Sequence, residues 1–320
     1  LLADGRQKRL GDLSIGEEIV GTERDGSYRR YVSTRVVAKW STRKRAYRVT
    51  LADGTEIISS GDHRFLTERG WKHVVGAMSG RDQRPYLTTQ NRLLGFGMGV
   101  AHEPIDSASE EYRRGYLTGM IRGDGSIFHG TYVSPDRTRE IHSFRLALAD
   151  GEALDRTRDY LAAEGLVTHT RPFTARSLTR RELKAIHTAK RADVGRIENL
   201  IREPATPTAT WRAGYLAGIF DAEGSCSKGV LRISNKDPDI LRLIEESLTH
   251  WDVTWVREGE RENGVTNIRV TGGLPMRSRF FRITQPAISR KISVVGTAIK
   301  TAADLHVVSI EDLGYDMDMV

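Results

Sequence analysis

Tyr116-Leu-Thr-Gly-Met-Ile-Arg-Gly-Asp-Gly-Ser126 and Tyr215-Leu-Ala-Gly-Ile-Phe-Asp-Ala-Glu-Gly-Ser225 are the two stretches on which the reading of this chain turns. Each reads as a helix ending in an acid and a glycine, Asp124-Gly125 and Glu223-Gly224. Glycine after the last turn is the usual helix stop. Gly119 and Gly123, like Gly218 and Ala222, lie four apart on one helix face, small enough for two backbones to approach closely. Two such helices packed side by side would bring Asp124 and Glu223 out together at one end.

The surroundings of these stretches repeat as well. Leu154 to Leu166 has the amphipathic spacing of Leu241 to Val253, and Lys190-Arg-Ala-Asp-Val-Gly195 matches Lys291-Ile-Ser-Val-Val-Gly296. Matches in one order, about 100 residues apart, indicate duplicated halves. Each half reads helix, strands, helix, strands, helix, and the first carries a longer hairpin around His129 to Glu140. Ser109-Glu110-Glu111 starts one half with acids in the first helical turn; the other starts near Pro207 to Thr210, just after Pro204.

Outside the halves the pattern is β. From Leu1 to about Gly99, β-branched stretches such as Tyr31 to Lys39 and Tyr47 to Leu51 alternate with Asp4-Gly5, Asp25-Gly26 and Asp53-Gly54, which are hairpin signals. A short β pattern returns from Ala303, over Val307 to Ile310 and Asp316 to Val320. The expected organisation is an all-β domain, 1–104 plus 303–320, interrupted by an α+β domain with halves 107–203 and 207–302.

Composition fits a soluble globular chain of two or three domains: 320 residues, 38% hydrophobic, 28% charged. The net charge of +7 is spread along the chain, which favours a folded basic surface facing a polyanion. The single cysteine, Cys226, excludes an internal disulfide and fits a reducing compartment. No apolar run reaches the roughly 18 residues of a membrane span, and no signal-peptide pattern is present. The expected location is cytoplasmic, with no membrane partner.

The two acids carry the chemistry. A carboxylate at a helix C-terminus meets the negative end of the helix dipole, and two together repel. A hard divalent cation such as Mg²⁺ relieves both penalties by taking carboxylate, water and phosphate oxygens. The pattern therefore points to metal-assisted phosphodiester hydrolysis.

The two stretches resemble the paired LAGLIDADG motifs of homing endonucleases, and the resemblance covers about Ser107 to Ala302. It implies two pseudo-symmetric αββαββα halves in a monomer acting on double-stranded DNA. It also implies that Asp124 and Glu223 bind catalytic Mg²⁺, with Ca²⁺ or Mn²⁺ able to substitute, helped by the main-chain oxygens of Gly123 and Ala222. By the same resemblance Lys190 and Lys291, at equivalent points of the two halves, would take the role of the basic residue near each scissile phosphate, with Lys184 the nearest competitor to Lys190. The first motif departs at Arg122, where the family commonly has Asp; the resemblance implies that this position is not the metal ligand.

The strands expected between the motifs are rich in arginine. Arg171, Arg176, Arg180 and Arg181 in the first half, and Arg232, Arg257, Arg269, Arg277, Arg279 and Arg282 in the second, are candidate DNA contacts, joined by Arg145, Lys228 and Arg261. A strand of about seven residues spans roughly 23 Å. Two halves then cover a long pseudo-palindromic site of about 15 to 20 base pairs.

The flanks carry a second resemblance. Leu2 to Ile19 resembles the start of the intein, or Hint, fold, an all-β horseshoe; Ser60-Gly-Asp-His-Arg-Phe-Leu-Thr67 resembles its Thr-x-x-His block with Ser60 for Thr; Val307 to Asp316 resembles a later block. This implies that His63 assists the first acyl shift, that Asp316 is a splicing acid, and that host exteins flank the chain in a precursor. Inteins begin with Cys or Ser and end in His-Asn. Residue 1 here is Leu and the last is Val320, so splicing is not expected of the chain as it stands. Cys226 reads as a small buried residue. The expectation is a site-specific, metal-dependent DNA endonuclease making a double-strand break. A catalytically silent nucleic-acid binder, such as a maturase or regulator, and a splicing element with a decayed nuclease remain open beside it.

Overall fold

A computed structural model describes the backbone of residues 1–3, 8–76, 84–95, 105–134, 137–175, 182–227, 229–299 and 301–320. The chain forms two compact units, Leu1–Glu103 with Ser293–Val320, and Pro104–Ile292. Among the described residues, no helix is long and apolar enough to cross a membrane.

The discontinuous unit is built of strands. β1 (Glu18–Asp25) and β2 (Tyr28–Arg35) form a hairpin closed at Asp25-Gly26, where Gly26 takes φ +61°. β3 (Thr42–Leu51), β4 (Glu56–Ser60), β5 (Arg64–Thr67), β6 (Gly70–His73) and β7 (Arg92–Leu94) are followed in this unit by the last strand of the chain, β16 (Thr301–Met319). These six form one sheet in the order β4-β3-β16-β7-β5-β6, over a core that includes Val49, Leu51, Leu87, Leu93, Leu305 and Val307.

Two expectations change here. The tail that reads as two short β pieces is one strand of 19 residues, β16. Its pairing with β3 shifts register between Val307 and Ser309 and between Asp312 and Asp316, which is why the alternation in the sequence breaks there. The segment 293–302, expected in the second half, belongs to the discontinuous unit. Tyr31 N–H donates to the Thr297 carbonyl at 3.0 Å, and the N–H groups of Gly296 and Ile299 donate to Tyr31 and Arg29, both at 2.8 Å. The turn at Asp4-Gly5 lies outside the described residues.

The 104–292 unit runs α1 (Glu110–Asp124), β8 (Gly125–Ser134), β9 (Arg137–Leu148), α2 (Gly151–Ala163), β10 (His169–Thr174), β11 (Leu183–Thr188), α3 (Arg191–Leu200), then α4 (Ala209–Glu223), β12 (Gly224–Ser227), β13 (Val230–Asn235), α5 (Pro238–His250), β14 (Trp255–Arg257), β15 (Thr266–Val270), α6 (Gly273–Thr284) and α7 (Ser289–Ile292). The two antiparallel sheets have matching orders, β10-β11-β9-β8 and β14-β15-β13-β12. Both halves are therefore αββαββα, the second followed by the extra short helix α7.

Capping sets where the helices start. Ser109 and Thr208 are N-caps, accepting from the N–H groups of Tyr112 and Trp211. The Thr208 hydroxyl also donates to Glu111 at 2.7 Å, tying the N-termini of α1 and α4 together. The repeated amphipathic helices stop earlier than the spacing predicts. Gly165 and Asp252 take left-handed φ of +73° and +51°. The next residues, Leu166 and Val253, turn back to donate to Leu161 and Leu248 at 2.9 Å, a six-to-one closure found in both halves.

One core lies against each sheet. Tyr112, Tyr116, Leu117, Phe144, Leu161 and Ile186 belong to the first, and Tyr215, Phe220, Leu231, Ile244, Ile268 and Phe280 to the second. α4 is buried nearly all round, whereas α5 is strongly amphipathic.

Candidate active site and nucleic-acid face

α1 and α4 lie side by side in parallel, with backbones in contact. A Cβ on Gly115 would sit 2.1 Å from the Trp211 carbonyl oxygen, and one on Gly214 would sit 2.2 Å from that of Tyr112. Gly119 and Gly218 repeat the exchange one turn on, at 2.4 Å from the Tyr215 oxygen and 2.1 Å from the Tyr116 oxygen. In the next turn a Cβ on Gly123 would meet the Ala222 Cβ at 2.6 Å and the Glu223 Cγ at 3.4 Å. Small residues thus recur three times at four-residue spacing on each helix. Gly115 and Gly214, the first of each set, were not identified from the sequence.

This packing brings Asp124 and Glu223, the last residues of α1 and α4, to the same end. The glycines after them have a different role from the expected one. Gly125 and Gly224 are extended, with φ −75° and −85°, and open strands β8 and β12. Glycine is needed there for close approach: a Cβ would lie 2.5 Å from the Ile121 oxygen in one case and 2.3 Å from the Phe220 ring in the other.

Both acids are held in a costly state. Burial raises the Asp124 carboxyl above its ordinary value, against the pull of Lys291. Burial, then the charge of Asp124, raises Glu223, again opposed by Lys291. Neither carboxylate has a hydrogen-bond partner among the described residues contributing to its state. The donor set, two carboxylates at the negative ends of two helices, is all oxygen and carries negative charge that Lys291 only partly offsets, which fits a hard divalent cation. Among the described residues, no third His, Cys, Asp or Glu joins them in a metal cluster.

The two lysines part company. Lys291, on α7, donates from Nζ to the main-chain oxygens of Asp221 at 2.6 Å and Phe220 at 3.2 Å. It closes the C-terminal turn of α4, half-buried beside the acids, and burial lowers its pKa. Lys190 is exposed and is the N-cap residue of α3, straight after β11. The matching place after β15 is Gly272, the N-cap of α6. The two lysines are therefore not equivalent, because α7 has no counterpart in the first half. Lys184 lies on β11 opposite Leu148, on the sheet face turned toward the core.

Asp221 is a functional-site residue that sequence reasoning missed. It stands where α1 has Arg122. Its buried carboxylate accepts from the N–H groups of Ala287 at 2.7 Å and Ile288 at 3.1 Å and from the Tyr116 hydroxyl at 2.9 Å. It locks α4 to α1 and to the segment leading into α7. The difference between Arg122 and Asp221 was the available signal.

Side-chain alternation sorts the candidate DNA contacts. On the first sheet, Ile127, Phe144, Leu146 and Ile186 face the core. The other face forms a hollow of about 740 Å³ lined by Ser126, Phe128, Arg145, His169, Arg171, His187 and Lys190, among others. The Arg145 guanidinium lies 4.7 Å from the Phe173 ring centre. On the second sheet Arg232 and Arg269 are cross-strand partners on the outer face. Arg261 is in the turn between β14 and β15, its N–H donating to Val265 at 3.0 Å.

Four arginines do not fit the expected role. Arg257 pairs across the sheet with buried Ile268, so it lies on the core-facing side and binds Glu245 of α5 at 2.7 Å. Arg277, Arg279 and Arg282 are on helix α6, not on strands. Arg277 is buried and reaches Cys226 Sγ at 3.5 Å. Arg279 donates to the Trp251 oxygen at 3.1 Å, and burial lowers the pKa of Arg282. Glycines at 272 and 273 and a proline at 275 hid this helix in the sequence. Arg176, Arg180, Arg181 and Lys228 lie outside the described residues.

In the discontinuous unit, Ser60 pairs with Ala46 and Asp316 with Arg45. They flank β3 at adjacent positions from opposite sides. His63 donates its N–H to the Ser60 oxygen at 3.0 Å, its ring is 4.7 Å from that of Phe65, and burial lowers its pKa.

No family model matches the chain. Solved structures similar to it include mesophilic variants of the homing endonuclease I-DmoI, at 15% identity, covering 56% of this chain and 98% of that one, with a TM-score of 0.46. I-DmoI in complex with DNA and Mn is similar at 15% identity, 55% and 98% coverage, and a TM-score of 0.45. The N-terminal LAGLIDADG domain of DUF199/WhiA is similar at 15% identity, 56% and 84% coverage, and a TM-score of 0.42.

Proposed function

We propose that the 104–292 unit is a divalent-metal-dependent endonuclease that binds double-stranded DNA across its two outer sheet faces and cuts between them, acting as a monomer with a pseudo-two-fold axis between α1 and α4. The reading rests chiefly on the two carboxylates delivered together by helices in backbone contact. Asp124 and Glu223, with the main-chain oxygens of Gly123 and Ala222, are the residues that would hold Mg²⁺ or a similar ion. Such an ion, when bound, supplies Lewis-acid polarisation of a phosphoryl oxygen and a more acidic water.

The remaining work falls to the protein. Arg145 and Arg171 on the first sheet, Lys190 at its rim, and Arg232 and Arg269 on the second attract and orient the phosphate backbone and reach base edges. Lys291 lowers the cost of holding two acids together and orders the end of α4. Lys190 stands at the rim of the first sheet face, where it would contact a phosphate of a bound strand.

The discontinuous unit is read as an intein-type scaffold on its short blocks, Leu2 to Ile19, Ser60 to Thr67 and Val307 to Asp316. Host exteins are then its partners in a precursor.

Plasmid cleavage tests the enzyme reading. With Mg²⁺ and the uninterrupted host-gene sequence as substrate, linear product is expected from the full chain and none after EDTA. Mn²⁺ titration by calorimetry should give binding that Asp124→Asn with Glu223→Gln abolishes. Metal and duplex binding without cleavage would favour a silent binder; loss of metal binding would remove the reading altogether.

A further inference from the structure

Glu258, just past β14, is an acid in the middle of a basic face. Its N–H donates to the Asn267 oxygen at 2.9 Å, which continues the β14–β15 pairing by one residue and turns its side chain outward beside Asn267. The carboxylate accepts from Arg232 Nε at 3.1 Å to both oxygens and from Asn267 Nδ2 at 2.9 Å, and pairs with Arg269 Nε at 2.9 Å. Ser234 Oγ donates to Asn267 Oδ1 at 2.7 Å, fixing the amide that faces Glu258. Asn267 is buried beneath this network. The bonds from Arg232 and Asn267 hold the Glu258 carboxyl below its ordinary value.

Arg232 and Arg269 stand directly opposite each other on adjacent strands. Like charges so placed repel. One carboxylate between them removes that repulsion and takes the Nε of each. Among the described residues, neither guanidinium has another hydrogen bond, so both Nη edges are left for an outside acceptor. A guanidinium fixed in orientation with its Nη edge presented is what bidentate recognition of guanine O6 and N7 requires. A free, splayed arginine serves a phosphate equally well and carries no base preference.

We infer that Glu258 is a specificity-determining positioning residue: it aligns Arg232 and Arg269 as a pair and thereby selects guanines at two neighbouring positions of the half-site read by the second half. The inference rests on the DNA-binding reading above. It also assigns an unlike role to the first sheet, where Arg145 is stacked on Phe173 and, among the described residues, no acid lines the hollow with Arg171 and Lys190. That face holds backbone more than it reads bases.

The test is selection from a duplex library with a randomised core, by the full chain without added Mg²⁺. Wild type should enrich a site with two neighbouring guanines that become indifferent in Glu258→Ala. The lost discrimination should be about 5- to 150-fold per position, the range of one bidentate contact. Affinity for random competitor duplex should hold or rise, because a negative charge has left the face. Arg232→Lys and Arg269→Lys keep charge without the fork. Each should erase one of the two guanines and leave the other, which tests the assignment should Glu258→Ala misfold. An unchanged base profile in Glu258→Ala, or equal loss at every position, would overturn the positioning role while leaving DNA binding intact. Failure of the wild type to bind any duplex would overturn both.

Discussion

Where α1 carries Arg122, α4 carries Asp221, and much of the difference between the two halves follows from that position. Asp221 gathers Tyr116, Ala287 and Ile288, and Lys291 sits on the carbonyl oxygens beside it. The end of α4 is thereby tied to the rest of its unit. Among the described residues the end of α1 has no such clamp, and Tyr215, the counterpart of Tyr116, donates instead to the Ile240 oxygen at 3.3 Å. The first half orders itself elsewhere. Its longer hairpin is pinned on the core-facing side by His129, which bonds His142 at 2.7 Å and Glu198 of α3 at 2.8 Å. Duplicated connectivity therefore does not impose duplicated roles. The acids kept equivalent places, while the cations and clamps around them diverged.

The comparison breaks most directly at the acids. Asp124→Asn and Glu223→Gln should each depress cleavage of both strands by about 10²- to 10³-fold, the scale of one electrostatic contribution, with duplex binding retained. Strand-specific cleavage of end-labelled duplex measures this. If one substitution spared one strand, the acids would be serving separate sites.

The lysines should behave unequally. Lys190→Ala should slow one strand by up to about 10²-fold, leave stability unchanged and accumulate nicked circles. Lys291→Ala should slow cleavage and also cost roughly 1 kcal/mol in urea unfolding, because it removes the cation at the end of α4. Matching behaviour of the two variants would restore the equivalence that α7 argues against.

Glycine substitutions test the reciprocity of the helix pair. Gly119→Ala and Gly218→Ala should destabilise the unit similarly, by about 1 to 3 kcal/mol or more, since each drives a methyl into a carbonyl oxygen. Gly195→Ala, inside α3 with open space around it, should gain about 0.5 to 1 kcal/mol. Unequal losses at 119 and 218 in calorimetry would show that the two helices do not share the interface evenly.

At the divergent position itself, Asp221→Asn should cost about 1 to 3 kcal/mol, because an amide NH₂ would face an N–H or hydroxyl donor. Arg122→Asn should stay within about 0.5 kcal/mol. The smallest effect concerns salt. Arg171→Ala should flatten the slope of duplex affinity against salt by about one counterion, whereas Arg257→Ala, bound to Glu245 on the other side of its sheet, should leave it unchanged.

The repeat, the small-residue faces, the paired acids and the strand alternation were all legible in the sequence, because each is a local pattern with a fixed period. What stayed hidden was tertiary. α6 begins after Gly272-Gly273 with a proline in its first turn, a signature that reads as loop, so its arginines were taken for strand residues. Lys190 and Lys291 share a local motif while sitting on non-corresponding helices. Asp221 and Glu258 take their meaning from partners distant along the chain, Tyr116 and Ile288 for one and Arg232 for the other, and no periodicity announces such partners. The stop at Gly125 and Gly224 was anticipated for a conformational reason, and the cause proved to be steric.

The pairing of β3 with β16 has a consequence for how the chain is made. A ribosome releases residues 42–51 long before residues 307–319, and everything from 104 to 292 emerges between them. The inserted unit is contiguous and can reach its native contacts first, whereas the six-stranded sheet must wait for its central strand. Until β16 arrives, β3 presents an unpaired edge to solvent, the kind of nascent surface that chaperones cover and that aggregates when they do not.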